Sequence, residues 1–187
     1  MVGIIIGAVV ALIVIILIIF IINVYNSFVR LKNGVEEAFS TMDVYMKKRY
    51  DLIPNFVETV KGYAKHEKET LENVIKARNS AVASSSAEDK INNDSNLTQA
   101  LKQLSIVVEK YPELKADKNF SELQNTLKTL EEEIANSRKY YNGIVKTYNT
   151  KREVFPSNII AKWFKFEKKP LYEVDSAEER KNVKVQF

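Results

Sequence analysis

Residues 2–22, from Val2 to Ile22, carry no charged or strongly polar side chain, and this run restricts the fold more than anything else in the sequence. Wound as an α-helix at ~1.5 Å per residue it is about 31 Å long, matching the hydrocarbon thickness of a bilayer. It reads as a membrane span. A cleaved secretory signal would need a basic n-region, a shorter apolar core and small residues before a cleavage point. Here Met1 leads straight into the apolar run, and Phe20, Ile21 and Ile22 close it. The anchor is therefore expected to stay on the mature protein. Arg30 and Lys32 follow the span, and no side-chain charge precedes it. Basic flanks favour the cytoplasmic side, so the C-terminal part is expected there.

Gly3, Gly7 and Ala11 recur every four residues and share one face of the span. Small residues at this spacing let two helices approach closely in lipid, so a homo-oligomer is expected. The remainder of the 187 residues suffices for one domain with its own core. The chain has no cysteine, which removes disulfides and thiolate chemistry, and a single histidine, His66. One imidazole among scattered carboxylates makes no ligand spacing, so neither metal nor cofactor is expected. A charge of +4 and a pI near 9.0 do not indicate nucleic acid, because basic and acidic residues are mixed throughout. An anionic membrane surface accounts equally well for the basic excess.

Beyond Ile22 nothing stops the helix. Phe28, Leu31, Val35, Ala38, Met42 and Tyr45 continue a single apolar stripe. Pro54 is expected to impose a turn, with Asp51 as a cap and a new helix starting there. Its stripe of Val57, Val60, Ala64, Leu71, Val74 and Ala81 is interrupted near Gly62 and His66, and Glu67 and Arg78 occupy stripe positions. Residues 84–96, rich in Ser, Asn and Asp, read as a surface linker. A short third stripe runs from Leu97 to Tyr111 and a turn follows at Pro112, with Asn119 as the next cap. The fourth helix has the strongest periodicity, from Phe120 through Leu127, Ile134 and Tyr141 to Tyr148. Glu131, Glu132 and Glu133 lie mostly off that stripe and read as a solvated face. After Pro156, with Ser157 as a cap, Ile159, Ile160, Trp163, Phe164 and Phe166 alternate with Lys162 and Lys165. This amphipathic composition suits a bilayer interface, the alternative being a lid folded back over the end of the bundle. In the tail, Val183, Val185 and Phe187 give a weak strand signal.

The expected fold is all-α. An N-terminal transmembrane helix (1–23) continues into a long antiparallel, coiled-coil-like four-helix bundle (24–155), followed by a short amphipathic helix and an extended tail (156–187).

Several segments resemble the bacterial LemA family. They are Tyr25-Asn26, the stretch from Asp51-Leu52-Ile53-Pro54-Asn55-Phe56 to Gly62-Tyr63-Ala64, and His66-Glu67. Further on come Tyr111-Pro112-Glu113-Leu114-Lys115-Ala116, Tyr140-Tyr141-Asn142, Tyr148-Asn149-Thr150 and Phe155-Pro156-Ser157-Asn158. Phe39 and Tyr45 stand where relatives often have Trp or Gln. The resemblance implies a single-span protein of the bacterial inner or plasma membrane, with its N-terminus outside and a helical bundle in the cytoplasm. It brings no catalytic residue with it.

The functional expectation is a non-enzymatic membrane scaffold that self-associates and organises the bilayer or its partners. An adaptor docking other membrane or cytoplasmic proteins is the alternative. A hydrolase using Glu or His66 is the remaining reading, and no nucleophile elbow, phosphate loop or metal motif supports it.

Overall fold

The computed structural model describes residues 1–172, in which every regular element is a helix. They are α1 (Val2–Tyr63), α2 (Lys68–Ala83), α3 (Ala87–Val108), α4 (Pro112–Ala116), α5 (Lys118–Glu153) and α6 (Ser157–Trp163). The strand signal and the extended tail lie outside the described residues.

α1 is one helix of 62 residues and passes through Pro54, where the sequence predicts a turn. A proline inside a helix cannot donate to the carbonyl four residues back. That carbonyl is Tyr50 O, and it instead accepts a hydrogen bond from Arg78 Nε at 3.1 Å. Ile53, Phe56, Val57 and Val60 are buried around the proline and hold the helix on both sides of it. Arg78 thus breaks the apolar stripe of α2 in order to mend α1. Asp51, read as a cap, lies within the helix, with Arg78 at 4.0 Å. α1 ends near Gly62, and exposed His66 lies in the turn before α2.

The linker expected at 84–96 is corrected to a short turn and the opening turns of α3. Ser86 caps that helix by accepting from Asp89 N at 3.0 Å while its hydroxyl donates to Asp89 Oδ2 at 2.7 Å. The polar residues that suggested a loop have tertiary partners. Lys90 pairs with Asp43 at 2.8 Å, and Asn93 Nδ2 donates to Ser84 Oγ at 2.8 Å. Residues 112–116 form the short α4 rather than a plain turn. α5 is capped by Asp117, which accepts from Phe120 N at 2.8 Å, and not by Asn119, which falls inside the helix. Ser157 does not cap α6. Its hydroxyl faces back toward the end of α5 and donates to Lys151 O at 2.6 Å.

The chain divides into two compact units, each drawing on both α1 and α5. The first comprises residues 1–38 and 140–171, with Phe28, Val35, Tyr141, Val145, Tyr148 and Ile160 in its core. The second comprises 39–139 with Tyr172. Its core is built from Met42, Met46, Ile53 and Val60 of α1, Leu71 and Val74 of α2, Leu97 and Leu104 of α3, and Phe120 and Ile134 of α5.

Candidate functional site

In the first unit, the apolar residues 2–22 begin a helix long and apolar enough to cross a membrane, and none of its most apolar window is buried. That fits a single-pass anchor. A Cβ built on Gly3 or Gly7 meets no heavy atom within 4 Å, so the face these residues share with Ala11 is open in the chain.

Three residues beyond Ile22, the ring of Tyr25 packs against Phe164 at 4.8 Å and Phe166 at 5.8 Å. α6 and the turn after it are therefore seated beside the stretch of α1 just past the apolar run. Ile160 and Ala161 face inward, and Phe166 stacks on Phe28 at 4.7 Å and 20°. The other side of the element is apolar yet open: Trp163 is 67 % exposed, Phe155 79 %, and Phe164 43 %. Lys162 and Lys165, also exposed, flank these rings. Lys165 has φ 54°, the left-handed conformation that ends many helices. Phe166 N donates to Ala161 O at 2.9 Å and Lys165 N to Lys162 O at 3.2 Å, completing a Schellman-type close.

Residues 166–171 then run as an extended strap along α5, held almost entirely by side chains gripping backbone. Arg152 Nε donates to Phe166 O at 3.0 Å, Tyr148 to Glu167 O at 2.9 Å, and Tyr141 to Pro170 O at 2.8 Å. Asn149 closes a two-bond clamp on Lys169, donating to its carbonyl at 2.8 Å and accepting from its amide at 3.0 Å. Burial holds the Tyr148 hydroxyl above its usual range and pushes that of Tyr141 up to about 12. Sequence periodicity assigns these tyrosines to the apolar stripe, which is half their role. The overlooked signal was polar Asn149 and Arg152 on the same helical face.

In the second unit the notable chemistry is buried. Asp94, placed by sequence in a linker, is fully enclosed and accepts from Arg49 Nη2, from Tyr50 at 2.8 Å and from Tyr172 at 2.6 Å. Arg49, equally enclosed, also donates to Glu131 at 2.5 Å and Thr98 at 3.2 Å. Glu131 is thus drawn out of the solvated face it was assigned to. Burial opposes the Arg49 charge, but the carboxylates of Asp94 and Glu131 outweigh it and hold the guanidinium above its ordinary pKa. Burial, reinforced by the charge of Asp94, also pushes the hydroxyls of Tyr50 and Tyr172 well above their ordinary range. The Tyr172 ring additionally receives the Arg138 cation at 5.1 Å.

The same unit has an open groove of about 1180 Å³ between the end of α1 and α2, with Val57, Leu71 and Ile75 on its floor and Lys61, Lys65 and Lys76 among its walls. Among the described residues no three His, Asp or Glu side chains are grouped to hold a metal ion.

Comparison with known proteins finds that a sequence model described as the LemA family matches residues 38–187. A curated relative, "Protein LemA" of Metamycoplasma hominis, is 27% identical over 139 residues, which is 73% of this chain and 63% of the relative. The match thus spans less than two-thirds of that protein's length.

Proposed function

Because the chain belongs to the LemA family, we propose that it is a single-pass membrane scaffold without enzymatic activity, its helical part cytoplasmic and α6 laid into the bilayer interface. The packing of Tyr25 on Phe164 at 4.8 Å carries this reading. At ~1.5 Å per residue, Tyr25 stands about 5 Å past Ile22, within the headgroup layer if residues 2–22 fill the hydrocarbon. The exposed rings of Trp163 and Phe155 then have an interface to occupy, and Lys162 and Lys165 have phosphates within reach. Self-association rests on the open Gly3, Gly7 and Ala11 face.

For residues 39–139 we read an antiparallel four-helix bundle made from α2, α3 and parts of α1 and α5. Its support is the order of contacts: Arg49 meets Glu131, and Phe56, further along α1, meets Phe120, further back along α5. The chemistry of Asp94 and its partners also favours a structural protein. Neither Tyr50 nor Tyr172 is shifted toward neutral pH, and Arg49 is held charged, so no proton is poised for transfer there.

Trp163 is the only tryptophan in the chain, which makes a direct test available. In bilayers containing lipids brominated near the carbonyl end of the chains, Trp163 fluorescence is quenched if α6 lies in the interface. Unquenched fluorescence removes the interfacial reading. Separately, Gly7→Ile is expected to reduce cross-linking in the membrane, and cross-linking equal to the parent would exclude the span as the self-associating element.

The groove of the second unit favours a second reading, an adaptor. Glu58 is paired with Lys61 at 3.2 Å and Glu72 with Lys68 at 3.6 Å, which leaves the charges of Lys65 and Lys76 beside an apolar floor. An acidic amphipathic helix of a partner protein matches that arrangement. Partner capture by the full chain that is lost in Lys65→Glu/Lys76→Glu would support it.

A further inference from the structure

Deepening the interfacial reading, and resting on it, we propose that the cleft between the end of α5, α6 and the strap is a headgroup site for an anionic phospholipid. The cleft measures about 530 Å³ and is lined by Arg152, Lys162 and Lys165 together with Asn158, Glu153 and Glu167.

Arg152 is the anchor of the argument. Its Nε is committed to Phe166 O at 3.0 Å, which fixes the plane of the guanidinium. Its two terminal nitrogens have no partner among the described residues, and that pair forms the planar fork that suits a phosphate. Lys162 and Lys165 add point charges, and neither makes an ion pair among the described residues. The two carboxylates do not cancel them, because Arg152, Lys162 and Lys165 outnumber Glu153 and Glu167, and Glu153 also has Lys168 at 4.0 Å. What remains suits a phosphodiester carrying one negative charge.

Lys165 supplies an independent observation. At φ 54° it sits where glycine would be unstrained, yet it retains a long cationic side chain. A residue that served only to end α6 would gain by being glycine.

Depth agrees with this assignment. Phe166 lines the cleft and stacks on Phe28 at 4.7 Å, and Phe28 stands six residues, ~9 Å, beyond Ile22. The headgroup layer is roughly 5–8 Å thick on each side of the hydrocarbon, so Phe166 stands at its outer edge while Phe164, packed on Tyr25, lies within it.

The test uses the full-length protein in nanodiscs of phosphatidylcholine and phosphatidylglycerol, with retained lipid counted by native mass spectrometry. The parent is expected to retain phosphatidylglycerol above its share of the bilayer. Lys162→Gln and Lys165→Gln should each cut that enrichment about five-fold, the factor for one basic residue at an anionic surface. Lys146→Gln, on an exposed part of α5, should leave it unchanged. Lys165→Gly separates binding from structure, since it should unfold at the same temperature or higher and still lose the enrichment. Equal retention of the two lipids, or enrichment indifferent to Lys162 and Lys165, would overturn the headgroup site. If Trp163 is still quenched by brominated lipid in that case, only the site falls. If it is not, the interfacial reading falls as well.

Discussion

The two units use polar side chains in opposite ways. In the second, Arg49, Asp94, Tyr50 and Tyr172 are sealed from water and bonded together through Asp94, with Arg49 Nε left without a partner. In the first, Tyr141, Tyr148, Asn149 and Arg152 are spent on the backbone of an extended strap, and large apolar rings remain outside. A buried charge network adds little net stability over an apolar core but strongly penalises any arrangement that leaves it incomplete. A strap held through its backbone tolerates many side chains along its length and leaves those side chains free for other work. The second unit is thus built for uniqueness, and the first for presenting a surface.

The sharpest way to break this contrast is to remove one member of the buried network. Asp94→Ala leaves the Arg49 charge enclosed without its main partner and should cost about 3–5 kcal/mol in urea unfolding followed by circular dichroism. Replacing Arg49 and Asp94 together by methionine and leucine, with Tyr50 and Tyr172 changed to phenylalanine so that no buried hydroxyl is stranded, should restore most of that loss. The network also predicts a pH dependence. Because the folded-state pKa values of Tyr50 and Tyr172 are raised, their contribution is complete below the unfolded tyrosine value of about 10 and is lost as pH climbs above it. Tyr172→Phe should flatten that alkaline decline.

Asn149→Ala is the matching test in the first unit. It removes both bonds to Lys169 and should cost a smaller amount, about 1–2 kcal/mol, since the strap borders solvent. The signature is local. Hydrogen exchange should accelerate over residues 166–171 while α3 stays protected, and uniform acceleration across both units would contradict the division of roles.

Much of the fold was legible in the sequence, and apart from misplaced local caps at Asn119 and Ser157 the failures share one cause. The apolar run, the break at Gly62 and His66, the stop at Pro156 and the long periodic α5 all follow from local rules. The missed features are those in which a distant residue completes a local defect. Asp94, Lys90 and Asn93 look like loop formers until Arg49, Asp43 and Ser84 are supplied. Pro54 looks like a terminator until Arg78 reaches Tyr50 O. The same holds for the strap, because an extended segment that pairs with side chains leaves no periodic trace of its own. Arg78 was visible as a charge out of place on its stripe, and that was the signal, whereas Glu131 read as part of a solvated face.

The Pro54 and Arg78 pair converts that lesson into a double-mutant cycle. Arg78→Ala strands the Tyr50 carbonyl and should cost about 1–2 kcal/mol. In a Pro54→Ala background the restored amide can serve that carbonyl from within α1, so the same substitution should cost clearly less. Additive effects would mean that Arg78 acts only through its approach to Asp51 at 4.0 Å.

The smallest effect concerns glycine, and it returns to the difference between covered and open surface, now within the first unit. A Cβ at Gly34 would lie 3.7 Å from Ile144 Cγ2, ordinary van der Waals contact, whereas at Gly3 and Gly7 it would meet nothing within 4 Å. At Gly34, then, α1 already has its neighbour in α5, and a methyl group fits the existing gap. Gly34→Ala should stabilise the protein by about 0.5–1 kcal/mol through helix propensity alone, measured as a shift of the urea midpoint at unchanged slope. It should leave membrane cross-linking untouched, in contrast to Gly7→Ile. A Gly34→Ala variant that altered cross-linking would mean that the self-associating surface extends beyond the span into the α1 and α5 contact, and the open face at Gly3 and Gly7 would lose its special standing.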